Sequence, residues 1–437
     1  MLTRVVALLA LALALAAGSS TAHPLDTSRP LLGVDYYATD CIHGGNDLLK
    51  DTPDPALERD QLFAMHASGL NSLRLTINYT SDRNLTNGGH GGAIAINPDG
   101  TMGEPYRSNF VRYLTDVRDA GFSDVTIAFY PYGPNSPSPW TTGSYVDSWN
   151  PYLYAADWRF VQDVHDLTKQ YGPPESHFDL MAEGPPSDGD RQQVGSQIDD
   201  FISRLYSDYV TKYGSADAFV TVIDKIPAGD DTRLVHLIEE LRSTGKPLPQ
   251  WWGLDIEYTG PVAARNLADA DATLNTYGIE GSFALGETAY ENGSVAAAVK
   301  SFNATAAHKV VQVEEYPDWG EAGCWSAPYT GEAYLKILGI EPDPLRAAVD
   351  GHGRLTLTTS DGIPVRALRA GMYTIAVTDA SRRDDFHLTG PGINVRTGLR
   401  FIGTRTWTVV LRGGMVGYRS DRRHGRNGAF LVLVPAS

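Results

Sequence analysis

Short apolar runs recur along the first three quarters of the chain, and longer amphipathic stretches separate them. The strand candidates are Leu31–Tyr37, Ser72–Asn78, Val125–Tyr130 and Phe178–Ala182. Four more follow at Ala218–Ile223, Trp252–Glu257, Ser282–Gly286 and Val310–Glu314. Between them the spacing predicts helices over Ser108–Ala120, Trp158–Tyr171, Val194–Tyr213, Arg233–Ser243 and Val295–Ala307. Eight buried strands alternating with helices predict an α/β chain folded as a (β/α)8 barrel. The first strand lacks a Gly-rich GxGxxG turn, which argues against a doubly wound sheet.

The pattern changes near residue 341. EPDPLRAAVDGHG reads as a connector, and short alternating runs follow it. They lie at Leu355–Thr359, Met372–Asp379, Thr404–Leu411 and Ala429–Val434, and they predict a small all-β sandwich. The expected organisation is therefore a leader over 1–22, a barrel over 23–340 and a sandwich over 345–437. In the leader, Arg4 precedes a Leu/Ala run, and Ser20 and Ala22 are the small residues of a cleavage site before His23. This is the pattern of a secretory signal peptide and predicts a secreted protein. No other stretch approaches the roughly 20 apolar residues of a membrane span, so no membrane partner is expected.

Charge sharpens the division. The whole chain carries −16. Residues 345–437 hold 14 Arg against six Asp and no Lys or Glu, a net of +8, which leaves −24 for the first 344. An acidic barrel excludes nucleic acid as its partner, because such affinity rests on phosphate neutralisation. The Arg-rich module suits an anionic cell-wall polymer or the barrel itself. The two cysteines, Cys41 and Cys324, follow the first and eighth strands, which are neighbours in a closed barrel. In an exported chain they are expected to form a disulfide. No metal and no cofactor are called for, and a monomer is expected.

Catalytic groups of a barrel sit at the C-terminal ends of its strands. The ionisable candidates there are Asp35, Glu183, Asp255, Glu257, Glu287, Glu314 and Glu315. Asp255 and Glu257 are two apart and share a strand face. Glu183 stands in FDLMAEGPP and Glu287 in SFALGETAY, each placed where an apolar strand ends. This arrangement resembles the clan-A glycoside hydrolases, retaining (β/α)8 enzymes, over roughly residues 30–335. The resemblance implies Glu183 as acid/base, Glu287 as nucleophile, Arg74 of GLNSLRL as the cation holding the nucleophile, and Tyr258 as its hydrogen-bond donor. It implies a carbohydrate substrate. Ala182 departs from the clan, which has Asn there to contact the sugar 2-hydroxyl.

The chemistry makes the same demand without the family. Glycosidic cleavage needs one protonated and one ionised carboxyl flanking a bond, about 5–5.5 Å apart in a retaining enzyme. Desolvation raises one pKa and a cation such as Arg74 lowers the other. Aromatics suit sugar rings. The segment from Tyr130 to Trp158 carries eight, Trp251 and Trp252 open the sixth strand, and Trp319 follows the eighth as the preferred pocket aromatic. His43 is a further pocket candidate. The alternative is a secreted carbohydrate- or envelope-binding protein without catalysis.

The C-terminal module resembles the cupredoxin-like domains around FHLTGPG and TWTVVL. The positions of the copper-binding His and Cys are occupied by Asp384 and Ser420, and the module has no Cys. A blue-copper site needs a thiolate and two imidazoles, so no redox copper is expected.

Overall fold

The computed structural model describes residues 30–34, 49, 55–83, 93–137, 150–188, 197–223, 232–256, 260–288, 292–315, 344–422 and 427–433. The first part of the chain is mixed α/β with parallel sheets. Its strands are β1 (Leu31–Val34), β2 (Arg74–Thr80), β3 (Ile94–Ala95), β4 (Asp124–Pro131) and β5 (Glu175–Asp179). They continue with β6 (Ala218–Phe219), β7 (Thr221–Ile223), β8 (Trp251–Ile256), β9 (Ser282–Thr288) and β10 (Val310–Glu315). The helices between them are α1 (Pro55–Ala67), α2 (Tyr106–Ala120), α3 (Pro151–Tyr171), α4 (Gln197–Tyr213), α5 (Thr232–Ser243), α6 (Gly260–Thr276) and α7 (Asn292–Thr305).

Two five-stranded sheets run β1-β10-β9-β8-β7 and β3-β2-β4-β5-β6. Every pairing within them is parallel. They meet at two seams. One is the fifth strand, where Val220 alone separates β6 from β7. At the other, the N–H groups of Asn71 and Ser72 donate to Leu32 O at 2.9 and 3.1 Å. The Leu32 N–H answers by donating to Asn71 Oδ1 at 2.8 Å. The described parallel strands thus lie in two sheets that adjoin at these seams, with helices following them in sequence. Strands buried on both faces carry near-continuous apolar runs, which is why they were legible as runs and not as alternation.

Several boundaries differ from the sequence expectation. The fourth strand ends at Asp179, so Glu183 lies beyond it. The second strand runs from Arg74 to Thr80, two residues later at each end than expected. Helices α1 and α6 carry weak patterns: α1 buries Glu58 and Gln61, and the inner stripe of α6 is built partly from Ala263, Ala270 and Asn266. No helix among the described residues is long and apolar enough to cross a membrane.

The C-terminal residues form two sheets. One is ordered β12-β11-β14-β17 and the other β13-β19-β18-β15-β16. Their strands are β11 (Leu345–Val349), β12 (Leu355–Thr358), β13 (Ala367–Arg369), β14 (Gly371–Asp379) and β15 (His387–Gly390). The remainder are β16 (Ile393–Arg396), β17 (Gly403–Leu411), β18 (Gly414–Arg419) and β19 (Asn427–Leu433). Pairing is antiparallel except for β11 with β14 and β13 with β19. The segment read as a connector thus contains β11. These sheets enclose an apolar cluster of their own, including Ile375, Val377, Phe386, Leu388 and Phe430. The cluster is distinct from the one inside and around the parallel sheets. The two parts touch through α1. Ala67 packs on the C-terminal cluster, the Arg366 guanidinium lies 5.3 Å from the centre of the Phe63 ring, and His66 Nε2 meets Asp361 Oδ2 at 3.1 Å.

Candidate active site

Strand β9 presents Glu287 through a bulge. Against β8, Leu285 pairs with Leu254 and Glu287 with Asp255, so Gly286 is an extra residue. Against β10, Leu285 pairs with Val313 and Thr288 with Glu315, so β9 again carries one extra residue between them. A bulge re-aims the side chain that follows it. Only glycine fits here: a Cβ at 286 would lie 2.6 Å from Asp255 Oδ1 and 3.4 Å from Arg74 Nε.

Arg74 is buried and runs from the start of β2 into the site. Its Nη1 donates to Glu287 Oε1 at 2.7 Å, and its Nη2 lies 3.5 Å from Asp179 Oδ2. Asp179, at the end of β5, is held from the other side. It accepts the Thr221 N–H at 3.0 Å and the Thr221 hydroxyl at 2.6 Å. Burial pushes the Asp179 carboxyl up, and the charge of Arg74 with the Thr221 donors opposes that push. Asp179 was not singled out in the sequence. Its position inside the apolar run FDLMA, where a buried acid requires a partner, was the available signal.

Glu183 occupies a tight turn after β5, closed by the Gly184 N–H donating to Met181 O at 3.2 Å. Its φ is 56°, and it shares the left-handed region only with Arg400 among the described non-glycine residues. Such a conformation costs about 1–2 kcal/mol for a residue with a Cβ, and strain of this kind concentrates at functional sites. Ala182 is anchored by its N–H to Phe129 O at 3.0 Å and contributes no polar group.

Glu183, Asp255 and Glu287 converge. Each offers one carboxylate oxygen within 4.8 Å of the others. Glu183 and Glu287 are partly accessible, while Asp255 is fully buried. Burial and then the neighbouring carboxylates push the Asp255 carboxyl well above the ordinary range, and Arg74 opposes them. Tyr130 on β4 completes the described rim. Burial, then the charges of Glu183 and Glu287, raises its phenol. Among the described residues this is also the one acidic group packed closely enough to admit a cation, and Arg74 already supplies positive charge to it.

The structure brings Glu183, Glu287, Arg74 and Asp255 together. Asp35, His43, Tyr258, Glu257, Trp319, Cys41, Cys324 and the leader lie outside the described residues. The aromatics are partly reassigned. Trp251 and Trp252 are core residues, with Trp251 stacked on His177 at 3.6 Å between centroids. Tyr154 is buried and donates to Asp208 Oδ2 at 2.6 Å, and Trp158 packs against Tyr213. Trp251, Trp252 and Tyr154, being buried, are therefore not sugar platforms. Glu314 is removed from the site too: it lies in the barrel interior, where it accepts from Ser72 Oγ at 2.6 Å and Gln312 Nε2 at 2.7 Å.

In the C-terminal sheets, Asp384 and Ser420 meet, with Ser420 Oγ donating to Asp384 Oδ1 at 3.2 Å. His387 is a structural residue. Its Nδ1 contacts Asp421 Oδ1 at 2.6 Å and its Nε2 contacts Asn394 Oδ1 at 2.7 Å.

No family model and no curated protein matches the chain. Solved structures with a similar fold include a GH5_18 from Bifidobacterium longum subsp. infantis, 13% identical, with a TM-score of 0.46, covering 74% of this chain and 84% of that one. A GH5_18 from Streptomyces cattleya in complex with Manb1-4GlcNAc is 12% identical, with a TM-score of 0.46, over 73% of this chain and 85% of that one. The homocysteine methyltransferase MmuM from Escherichia coli is also similar, at 13% identity and a TM-score of 0.41, over 71% of this chain and 96% of that one. At these identities and TM-scores the likeness says nothing of activity.

Proposed function

We propose that this protein is a secreted glycoside hydrolase that acts on an oligo- or polysaccharide with retention of configuration. Glu287 is the nucleophile and Glu183 the acid/base. The observation that carries the reading is the approach of the two carboxyl groups to within 4.8 Å, with Arg74 donating to Glu287 at 2.7 Å. Oxygens that approach this closely suit the roughly 5–5.5 Å carboxyl spacing of a retaining pair better than the roughly 6.5–9.5 Å of an inverting one.

In this reading Arg74 holds Glu287 ionised and aimed by a charge-assisted hydrogen bond. Glu183, displayed on its turn, protonates the leaving oxygen. It then takes a proton from the water that releases the glycosyl group from Glu287. Asp179 fixes the far side of Arg74, so the guanidinium cannot turn away from Glu287. Asp35, His43, Tyr258 and Trp319 are proposed as groups that line the substrate cleft, and Cys41 with Cys324 as a disulfide between its loops.

The C-terminal sheets are proposed as a cupredoxin-like domain from residue 345, without copper, in which the Asp384–Ser420 hydrogen bond stands where the metal ligands would be. Its 14 Arg suit an anionic cell-wall polymer. The competing reading, a glycan-binding protein without turnover, rests on Ala182, which removes a 2-hydroxyl contact that strengthens in the transition state.

The test is reducing-sugar release from a panel of plant and microbial polysaccharides by the wild type, Glu183→Gln and Glu287→Gln. Release by the wild type, lost by at least about 1,000-fold in Glu287→Gln, is expected, each lost factor of ten being about 1.4 kcal/mol of transition-state stabilisation. Binding without release by the wild type would establish the competing reading.

A further inference from the structure

The site holds more acid than its chemistry uses. Among the described residues, four carboxyl groups, Asp179, Glu183, Asp255 and Glu287, gather with the guanidinium of Arg74. Two of them meet Arg74 directly: Glu287 at Nη1 and Asp179 at Nη2. Asp179 also has both Thr221 donors. Asp255 has no such provision. It is 0% exposed, and among the described residues neither of its oxygens has a hydrogen-bond partner.

An ionised carboxylate without donors in a buried site is among the most costly arrangements in a protein, and the group takes up a proton instead. The charged and titratable groups facing Asp255 are Arg74 from β2, Asp179 from β5, Glu183 from the following turn and Glu287 from β9. Three of these four are acids. The bulge at Gly286 also serves this residue, because a Cβ there would occupy the space of Asp255 Oδ1.

We propose that Asp255 is a positioning residue that works as a neutral carboxylic acid beneath Glu287. An uncharged acid in this space does not compete with Glu287 and Asp179 for the charge of Arg74. An ionised Asp255 would draw the guanidinium down and repel Glu287 from the bulge that presents it. The role assigned to Glu287 rests on the hydrolase reading; the protonation state of Asp255 does not.

The sign of the pH effect is definite. The folded protein keeps the Asp255 proton at a pH where the unfolded chain has released it. Wild-type stability therefore falls as pH rises above the ordinary carboxylate range towards the raised folded value. Asparagine has the shape of the neutral acid and no proton to lose.

The experiment is thermal unfolding of the full chain from about pH 5 to pH 8, for the wild type and Asp255→Asn, with infrared difference spectra of both. Asp255→Asn is expected to melt above the wild type at pH 8, with the gap closing towards pH 5. The wild type is expected to show at pH 7 a protonated-carboxyl C=O band that Asp255→Asn lacks and Glu287→Gln keeps. A lower melting temperature for Asp255→Asn at pH 8, a failure of that variant to fold, or the absence of the band would overturn the proposal. Calcium or magnesium raising the melting temperature of the wild type but not of Asp255→Asn would also overturn it, by making Asp255 an ionised ligand. None of these measurements needs substrate, so they stand apart from the outcome of the hydrolysis assay.

Discussion

The backbone of Glu183 is the clearest sign that one residue is kept for something other than stability. Its left-handed φ of 56° would be unstrained in glycine. We expect Glu183→Gly to gain up to about 1 kcal/mol in denaturant unfolding, relief of strain being partly offset by the entropy of glycine in the unfolded chain. Its hydrolytic activity is expected to disappear. Equal or lower stability would show that the Glu183 side chain holds the turn itself. The sequence made Glu183 and Glu287 legible because each lies where an apolar run gives way to Gly or Pro. The turn conformation was not legible, because nothing in AEGPP distinguishes a strand end from a left-handed residue four positions beyond one. Asp179 was hidden for the opposite reason. It sits within the apolar run, and its partner Arg74 is more than 100 positions away.

At the scale of elements, the β9 bulge couples three strands, and its glycine is its weak point. Gly286→Ala places a methyl group against Asp255 and Arg74. Overpacking of this kind is expected to cost roughly 1–3 kcal/mol in urea unfolding and to misdirect Glu287. A silent Gly286→Ala would show that the strand shifts freely and that the bulge does not set the site. The α1–α2 contact carries a second buried acid. Glu58 of α1 is nearly inaccessible, accepts from Arg112 Nη2 at 3.0 Å, and has its carboxyl pushed up to about 7, chiefly by burial. The folded state thus retains a proton between pH 4.5 and about 7 that the unfolded chain releases. Stability from this group is full below that window and falls as pH rises through it. Glu58→Gln is expected to show a smaller loss of melting temperature than the wild type between those limits; parallel curves would contradict it. Helix α1 escaped the sequence reading because it buries such polar residues, whereas α2 and α4 were found within a few residues of their ends.

The whole molecule joins an acidic chain of parallel strands to an Arg-rich antiparallel one, and the net charge of −16 conceals that difference. The change in patterning near residue 341 was legible. The contact between the parts was not, since it runs from residues 63–67 to residues 361–369. Phe63 lies at its centre, between the guanidinium groups of Arg59 and Arg366 at 5.8 and 5.3 Å. Being 5% exposed, it is expected on replacement by Ala to lose about 3–5 kcal/mol of stability, measured by equilibrium unfolding. A loss below 1 kcal/mol would mean that the C-terminal sheets rest on α1 without supporting it.

The central claim, that Glu287 attacks the anomeric carbon, is tested most directly by intact-protein mass spectrometry after incubation with a panel of activated 2-deoxy-2-fluoro glycosides. These trap a glycosyl–enzyme intermediate of a retaining enzyme. The account predicts a single adduct, located on Glu287 by peptide mapping and absent from Glu287→Gln. An adduct on another residue, or hydrolysis that survives Glu287→Gln, would contradict it.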